Sequence, residues 1–482
     1  MKSFLLKIDH VAYNCVDEDK NGIVTVEIRL CILLGDHMLT FFCDNVISVI
    51  TPIMLIISGL YFSFKLKFFY VRHPIKIIRS MLKRKNKGGI SPFRAVTLAL
   101  AGTLGVGNIA GVASSIAIGG FGSVFWMWIS ALVAMVLKYA EIVLAIKHRR
   151  ITKDGYRGGA SYYIEDLFAP KKNKHLGKIF GGFFALLCIT NAITMGCMIQ
   201  ANAISTSFDG VWHIQPWIIG SAVALLCVVV ISGNAKWISM FSEKTVPLMT
   251  IGYILLSAAV LTVRYQYIDD AFAVIFKDAL TFNSAAGGVL GFLISRGLKA
   301  GTMRGLMSNE AGCGTAPTAH AAAECDSPAV QGFWGIFEVF VDTILLCTLT
   351  ALVIIVAILG GNNVLAFGND PMMMAIKAYS SVLGVWSEYY MVISVLLFAL
   401  ATIVCWAHYG KESIAYLTKK KAPITAYILI YCLFIFIGAV SAPKWAWLMA
   451  DLALGVMTII NLAVLLPMSG EVKKETDKFF KF

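Results

Sequence analysis

Apolar residues along this chain neither alternate with polar ones nor recur as a single stripe; they fill long, nearly unbroken runs. Runs such as 121–146 and 330–358 suffice to cross a hydrocarbon core, which takes about 20 residues of helix. Lipid offers no partners to backbone N–H and C=O groups, so only helices or closed barrels span it, and the missing two-residue alternation excludes a barrel. The pattern therefore predicts an all-α integral membrane protein of about eleven transmembrane helices, each near the length a bilayer requires. The spans are expected near 45–64, 92–118, 121–146, 178–205, 216–233, 244–263, 287–323, 330–358, 384–410, 423–441 and 445–466.

Two of these runs are punctuated in a way that a continuous helix supports poorly. The second holds Gly102, Gly105, Gly107 and Gly111 around Asn108. The seventh holds Gly297, Gly301, Gly305, Gly312, Gly314 and Pro317 around Ser308, Asn309 and Glu310. With the first span set aside, the rest divide into two sets of five, and a broken helix opens each. Five is odd, so the second set must be inverted relative to the first, the pattern in which discontinuous helices meet near the midplane and form substrate and ion sites. The offset from Gly105 to Gly305 matches one repeat. The expected organisation is an extension over 1–43, the first span and a basic loop over 44–91, a five-helix repeat over 92–263, an outer loop over 264–286, a second repeat over 287–466 and a tail over 467–482.

Composition agrees: 58% of the residues are hydrophobic and 14% charged, against roughly 25% charged in soluble proteins. The net charge of +13 raises nucleic acid as a partner. The Lys and Arg lie in short loops with no interleaved aromatics and no single basic face, so topology explains them and no nucleic acid is expected. Stretches 65–91 and 147–178 carry nine apiece, whereas the alternate loops hold only Arg264, Lys277, Lys377 and Lys444. Basic loops stay cytoplasmic, which predicts an outside N-terminus and an inside C-terminus. Met1 to Thr40 lacks the ordered regions of a cleavable signal peptide, so the first span is expected to insert as an anchor. The eleven cysteines are scattered, mostly within apolar runs, and read as small core residues.

In Thr103-Leu104-Gly105-Val106-Gly107-Asn108, unwinding at the glycines would free carbonyls for a cation and N–H groups for a carboxylate, and Asn108 adds a side-chain oxygen. Small residues also let membrane helices pack closely, and one motif alone does not separate the two readings. The second segment, Ser308 to Pro317, combines breakers with polar atoms that would be costly against lipid and should face a cavity. Glu310 is expected to balance a cation or to pair with Arg304 or Lys299. Glu141, Glu338 and Asp342 are functional candidates unless packing salt bridges, such as one to Lys138, absorb them; Glu338 and Asp342 stand one turn apart on one face.

Three lookalikes fail. Gly105-x-Gly107-x-x-Ala110 imitates a dinucleotide loop but follows no strand. Asp17-x-Asp19-x-Asn21-Gly22 begins like a calcium loop, yet Ile28 stands where the final Glu belongs. His320 and Glu324 are two ligands without further ones. No GxSxG, HExxH or P-loop occurs, so no resident metal, cofactor or enzymatic activity is expected.

At the two broken segments the chain resembles the alanine or glycine:cation symporter family from about Ile47 to Leu466. The resemblance rests on GGISPF from Gly88, GNIAGVA around Asn108, FWMW from Phe125, KYAE from Lys138, SNEAGCGTAPTAHAAA from Ser308, EVFVDT from Glu338 and CTLTALVI from Cys347. It implies a LeuT-like five-plus-five inverted repeat with two broken helices, and sodium- or proton-coupled uptake of small neutral amino acids such as alanine or glycine across a bacterial inner membrane. By position it implies substrate contacts from Thr103, Gly105, Gly107, Asn108, Gln200, Ser308, Asn309, Ala311, Gly312, Thr402 and Trp406. By looser analogy to neurotransmitter:sodium symporters, Ala101, Leu104, Asn108 and Thr402 would hold the cation. Many members have a hydroxyl residue where this chain has Val106 and Ala401, which leaves sodium against proton open. Residues 1–43 have no recognisable counterpart, and translation from Met38 is the alternative start. A monomer is expected. The rival functions are a uniporter or channel for the same solutes and a non-transporting membrane receptor or enzyme.

Overall fold

The computed structural model describes residues 38–82, 90–152, 155–168, 173–231, 235–280, 296–441 and 444–480. The expectations for residues 1–37 and for the opening of the seventh span, 287–295, lie outside the described residues. In chain order the main helices are α1 (Met38–Lys65), α2 (Pro92–Thr103), α3 (Ala110–Gly119), α4 (Gly122–Lys147), α5 (Ala160–Phe168), α6 (Lys174–Trp212), α7 (Pro216–Ile231) and α8 (Ala235–Val263). They continue with α9 (Ile268–Leu280), α10 (Arg296–Asn309), α11 (Pro317–Ala321), α12 (Pro328–Leu359), α13 (Pro371–Leu383), α14 (Trp386–Leu417), α15 (Lys421–Val440) and α16 (Lys444–Phe480). Among the described residues one antiparallel pair of short strands, β1 (Arg150–Thr152) with β2 (Gly155–Arg157), interrupts the helical pattern and pairs Ile151 with Tyr156.

Eight of the described helices are long and apolar enough to cross a membrane. The three remaining expected spans are built from shorter pieces. The second is split into α2 and α3, the seventh is described as α10 and α11, and the fifth is the 16-residue α7. Helix α16 runs without a break from the last expected span through the expected tail to Phe480. Three long helices carry a π-turn: α1 at Cys43–Ile47, α6 at Thr194–Met198 and α12 at Phe340–Cys347. Each turn inserts a residue into the i→i−4 ladder and rotates the remainder of its helix.

Helix α4 is the centre of the bundle and is buried nearly all round. Gly297, Gly301 and Gly305, which the sequence pattern groups with the break, lie on α10, within or beside regular helix, and form its contact face. A Cβ on Gly297 would approach the Gly119 carbonyl to 3.2 Å, one on Gly305 would approach Ser130 Oγ to 2.9 Å, and one on Gly301 would collide with the Ser123 carbonyl. These three glycines serve close helix approach, as small residues do where lipid supplies no hydrophobic drive to pack.

Outside the spans, Arg150 makes a bidentate pair with Asp166 at 2.5 and 2.9 Å, and His148 contacts the same carboxylate at 2.9 Å. Burial raises the Asp166 carboxyl, but the hydrogen bonds from His148 and Arg150 outweigh it and hold it at about 2, below the ordinary 3.8. Because the folded value lies below the unfolded one, this stabilisation is complete above about pH 4 and fades as the pH falls toward 2. Asp166→Asn is therefore expected to lower the melting temperature at pH 7, with the gap to the parent chain narrowing on acidification. A constant gap in a pH series of thermal melts would contradict this.

Candidate functional site

The first break begins where α2 stops at Thr103. Gly105 is extended, with φ −132° and ψ −153°, and Val106–Asn108 form a single tight turn before α3. In a continuous helix the Gly105 N–H would bond the Ala101 carbonyl. Here it goes to the Thr103 carbonyl at 2.9 Å and to Asn108 Oδ1 at 3.1 Å. The freed Ala101 carbonyl accepts from the Thr402 hydroxyl of α14 at 3.0 Å, and the Leu104 carbonyl lies 3.4 Å from the same hydroxyl. The Val106 N–H, which would otherwise bond Gly102, donates to Gln200 Oε1 of α6 at 3.1 Å. Unwinding thus exchanges intrahelical bonds for bonds to α6 and α14, leaving carbonyl oxygens and a hydroxyl around one point.

The second break follows Asn309. Glu310, Gly312 and Gly314 take left-handed backbone conformations, with φ of +53°, +93° and +82°. That conformation suits the two glycines and costs energy at Glu310. Its carboxylate is held on both sides, by Trp406 Nε1 at 3.1 Å and by the Thr315 hydroxyl at 2.5 Å. Lys138 donates to the Asn309 carbonyl at 2.7 Å, and the Asn309 side chain caps the Ala311 N–H at 3.0 Å.

The breaks meet. Asn108 Nδ2 donates to Ser308 Oγ at 3.0 Å and to Asp342 Oδ1 at 2.7 Å. Asp342 Oδ2 accepts from Ser308 at 2.8 Å and from Thr343 at 2.7 Å, and Asn309 Nδ2 reaches the Thr343 hydroxyl at 3.1 Å. Asn108, Ser308, Thr402 and Trp406 are each no more than 1% exposed, so this state is closed over the breaks.

Several expected residues are placed differently. Asn108 does not join Ala101, Leu104 and Thr402, for its carboxamide turns to Ser308 and Asp342. Thr103 directs its hydroxyl back to the Ala99 and Leu100 carbonyls of its own helix. Ala311 is fully buried at the second break, and the Gly312 carbonyl is taken by Asn461 of α16 at 2.9 Å. Gly107 stands where a Cβ would come within 3.3 Å of Ser308 Cα, so it admits the two breaks to each other.

The expected packing salt bridge to Lys138 forms, whereas the expected pairings of Glu310 do not. Lys138 pairs with Glu338 at 3.0 Å, while Glu141 is held by Asn461. Arg304 pairs with Asp451 at 3.3 Å and Lys299 donates to the Asp44 carbonyl, so Glu310 is anchored by Trp406 and Thr315 instead. Glu338 faces Lys138 and His320, whereas Asp342 faces Asn108 and Ser308; the π-turn between them breaks the shared face. Sequence reasoning missed Asn461 and Thr350, whose hydroxyl donates to the Asn108 carbonyl at 2.8 Å. Both are polar residues inside apolar runs, which was the available signal.

Known proteins resemble this chain along most of its length. The sequence pattern of the sodium:alanine symporter family matches residues 33–482. The chain is 35% identical over 436 residues to the sodium/alanine symporter AgcS of Methanococcus maripaludis, covering 89% of this chain and 94% of that protein. It is 31% identical over 441 residues to the probable sodium/glutamine symporter GlnT of Bacillus subtilis, covering 91% and 89%. Among solved structures, a manganese transporter of Eremococcus coleocola shares the fold, with a TM-score of 0.50 and 12% identity over 81% of this chain and 80% of that one.

Proposed function

Because the chain belongs to the sodium:alanine symporter family, we propose that it carries a small neutral amino acid into the cell together with sodium, by alternating access around its two broken helices. It is a transporter, not an enzyme. The reading places it in a bacterial plasma membrane as eleven spans in a five-plus-five inverted repeat, with the N-terminus outside.

The observation that carries this reading is the meeting of the breaks, where Asn108 of the first bonds Ser308 of the second across 200 residues. In this reading the freed Ala101 and Leu104 carbonyls and the Thr402 hydroxyl serve sodium, a hard cation that prefers several oxygens. Substrate would lie against the unwound backbone and Trp406. That indole is fixed by Glu310, and a Cβ on Gly196 would collide with it, so the wall has little room to retreat. A rigid wall favours glycine, alanine and serine. The named glutamine symporter among the relatives makes glutamine the competing substrate.

The test is uptake of labelled alanine into proteoliposomes. Accumulation above the external level under an inward sodium gradient is expected; mere equilibration would indicate a uniporter, and no movement a receptor. In the same assay leucine and phenylalanine should compete poorly, and effective competition by either at alanine-like concentrations refutes the small pocket. Ala401→Ser, which adds a hydroxyl beside Thr402, is expected to tighten the sodium dependence, and Thr402→Ala to weaken or abolish it. Uptake indifferent to sodium in all three chains, yet collapsing with the proton gradient, would replace sodium by protons.

A further inference from the structure

The chain leaves α1 by a sharp turn. Lys67 and Phe68 both take left-handed backbone, with φ of +57° and +50°, and end the span just after Lys65. A four-residue helix, Phe69–Arg72, follows, and then a second, Pro74–Met81, with Pro74 in its first turn. One side of this segment is fixed to the bundle. Ile77 is buried, and the Phe69 ring packs on Tyr139 of α4, Phe333 of α12 and Phe480 of α16, with centroids 4.7, 5.9 and 5.5 Å apart.

The opposite side is open. Ile78 and Leu82 follow Ile75 by three and seven residues, so the three share one helical face, and they are 57%, 73% and 72% exposed. Lys76 and Arg79 form the adjoining row, and Arg72 precedes them; all three are exposed. Among the described residues no carboxylate pairs with any of them. From Lys65 to Leu82 the chain has five Lys and Arg and no Asp or Glu. Lys65 is spent on Tyr61 and Ser469, at 2.7 and 2.6 Å, and Lys76 lies over the rings of Phe479 and Phe480 at 5.4 and 5.0 Å. Lys76 and Arg79 also line a cavity of about 390 Å³ together with Glu324 and Asp326. Its two acids offset its two bases, so an anion is drawn to the exposed row and not into the cavity.

An apolar stripe beside a basic row, on a short helix placed where a span ends, lets that helix lie in the membrane interface with its cations at headgroup level. We infer that this face is a docking surface for anionic phospholipid. Ile75, Ile78 and Leu82 sit in the acyl boundary, and Arg72, Lys76 and Arg79 hold headgroup phosphates. A second copy of the chain would set the same cations against themselves, which charge disfavours. In the proposed topology this is the cytoplasmic surface, whose leaflet carries anionic lipid. Docking of this kind is independent of what the chain transports.

The experiment is native mass spectrometry of the full chain in detergent, titrated with phosphatidylglycerol or with phosphatidylcholine of the same acyl chains. The parent is expected to retain phosphatidylglycerol at concentrations roughly tenfold or more below those needed for phosphatidylcholine, since each basic residue at a headgroup is worth roughly fivefold in affinity. Arg72→Gln with Arg79→Gln should lose most of that preference and leave phosphatidylcholine unaffected. Ile75→Ser with Ile78→Ser should weaken both lipids alike, because it removes apolar contact and no charge. Should either double variant not elute as a monodisperse species, its single variants decide, with Arg79→Gln alone costing roughly fivefold. Equal retention of the two lipids by the parent overturns the proposal, and so does an undiminished preference in the arginine variants. A dimer of the parent that Ile75→Ser with Ile78→Ser dissolves would make a second copy the occupant and overturns it as well. A chain that moves no amino acid yet keeps the lipid preference leaves it standing.

Discussion

Gly105→Ala is expected to weaken sodium-driven uptake strongly while leaving a protein that inserts and purifies normally. The backbone at Gly105 is acceptable to alanine, with φ −132°, so the effect is steric alone. An added Cβ would stand 2.5 Å from Thr402 Oγ1 and 3.0 Å from Gln200 Oε1, the two side chains that hold the unwound segment. Relieving the overlap means displacing the Thr402 hydroxyl from the Ala101 carbonyl or Gln200 from the Val106 N–H. Overpacking of this kind costs about 1–3 kcal/mol, which in affinity is roughly five- to over a hundred-fold. Gly111→Ala is the control, because a Cβ there meets nothing within 4 Å. Initial rates of alanine uptake for the two variants decide the matter. If Gly105→Ala transports as well as Gly111→Ala, the first break is not where transport is carried.

Lys138→Met is expected to destabilise the protein by about 3–5 kcal/mol, the cost of leaving one member of a buried ion pair alone. Lys138 and Glu338 are both fully inaccessible and 3.0 Å apart. The ammonium also donates to the Asn309 carbonyl at 2.7 Å, where α10 ends, so its loss removes a partner from the second break. Lys138→Met with Glu338→Gln should recover much of the stability, since the amide leaves no buried charge and keeps a hydrogen-bonding atom for His320. The measurement is thermal denaturation in detergent for the two single variants and the double. Equal melting temperatures for the parent and Lys138→Met would contradict the structural role. If the double variant is stable but transports slowly, Lys138 also supports the break through Asn309.

How much of this was legible in the sequence depends on the range of each interaction. Embedding in the bilayer was readable because it follows from run length and local composition alone. The breaks were readable as well. Gly312 and Gly314 carry their signal in residue type, since left-handed backbone favours glycine, and Gly105 carries it because the unwound segment leaves no room for a Cβ. The same rule overreached at Gly297, Gly301 and Gly305: glycine that lets helices touch and glycine that breaks a helix look alike until the neighbouring helix is in place.

Pairing was not legible in this way. Lys138 had several acids available, and the choice of Glu338 over Glu141 depends on how α4 and α12 are rotated against each other. In a soluble helix an apolar stripe fixes that rotation, but helices made for lipid are apolar nearly all round and carry little such record. A single π-turn in α12 is enough to part Asp342 from Glu338 and to aim it at Asn108. Residue order alone dictates that this chain crosses a membrane, where its helices break and which polar residues must find partners inside. The partners themselves, including those that join the two breaks through Asn108, Ser308 and Asp342, come from packing among segments some 200 residues apart, where one-dimensional periodicity holds no information.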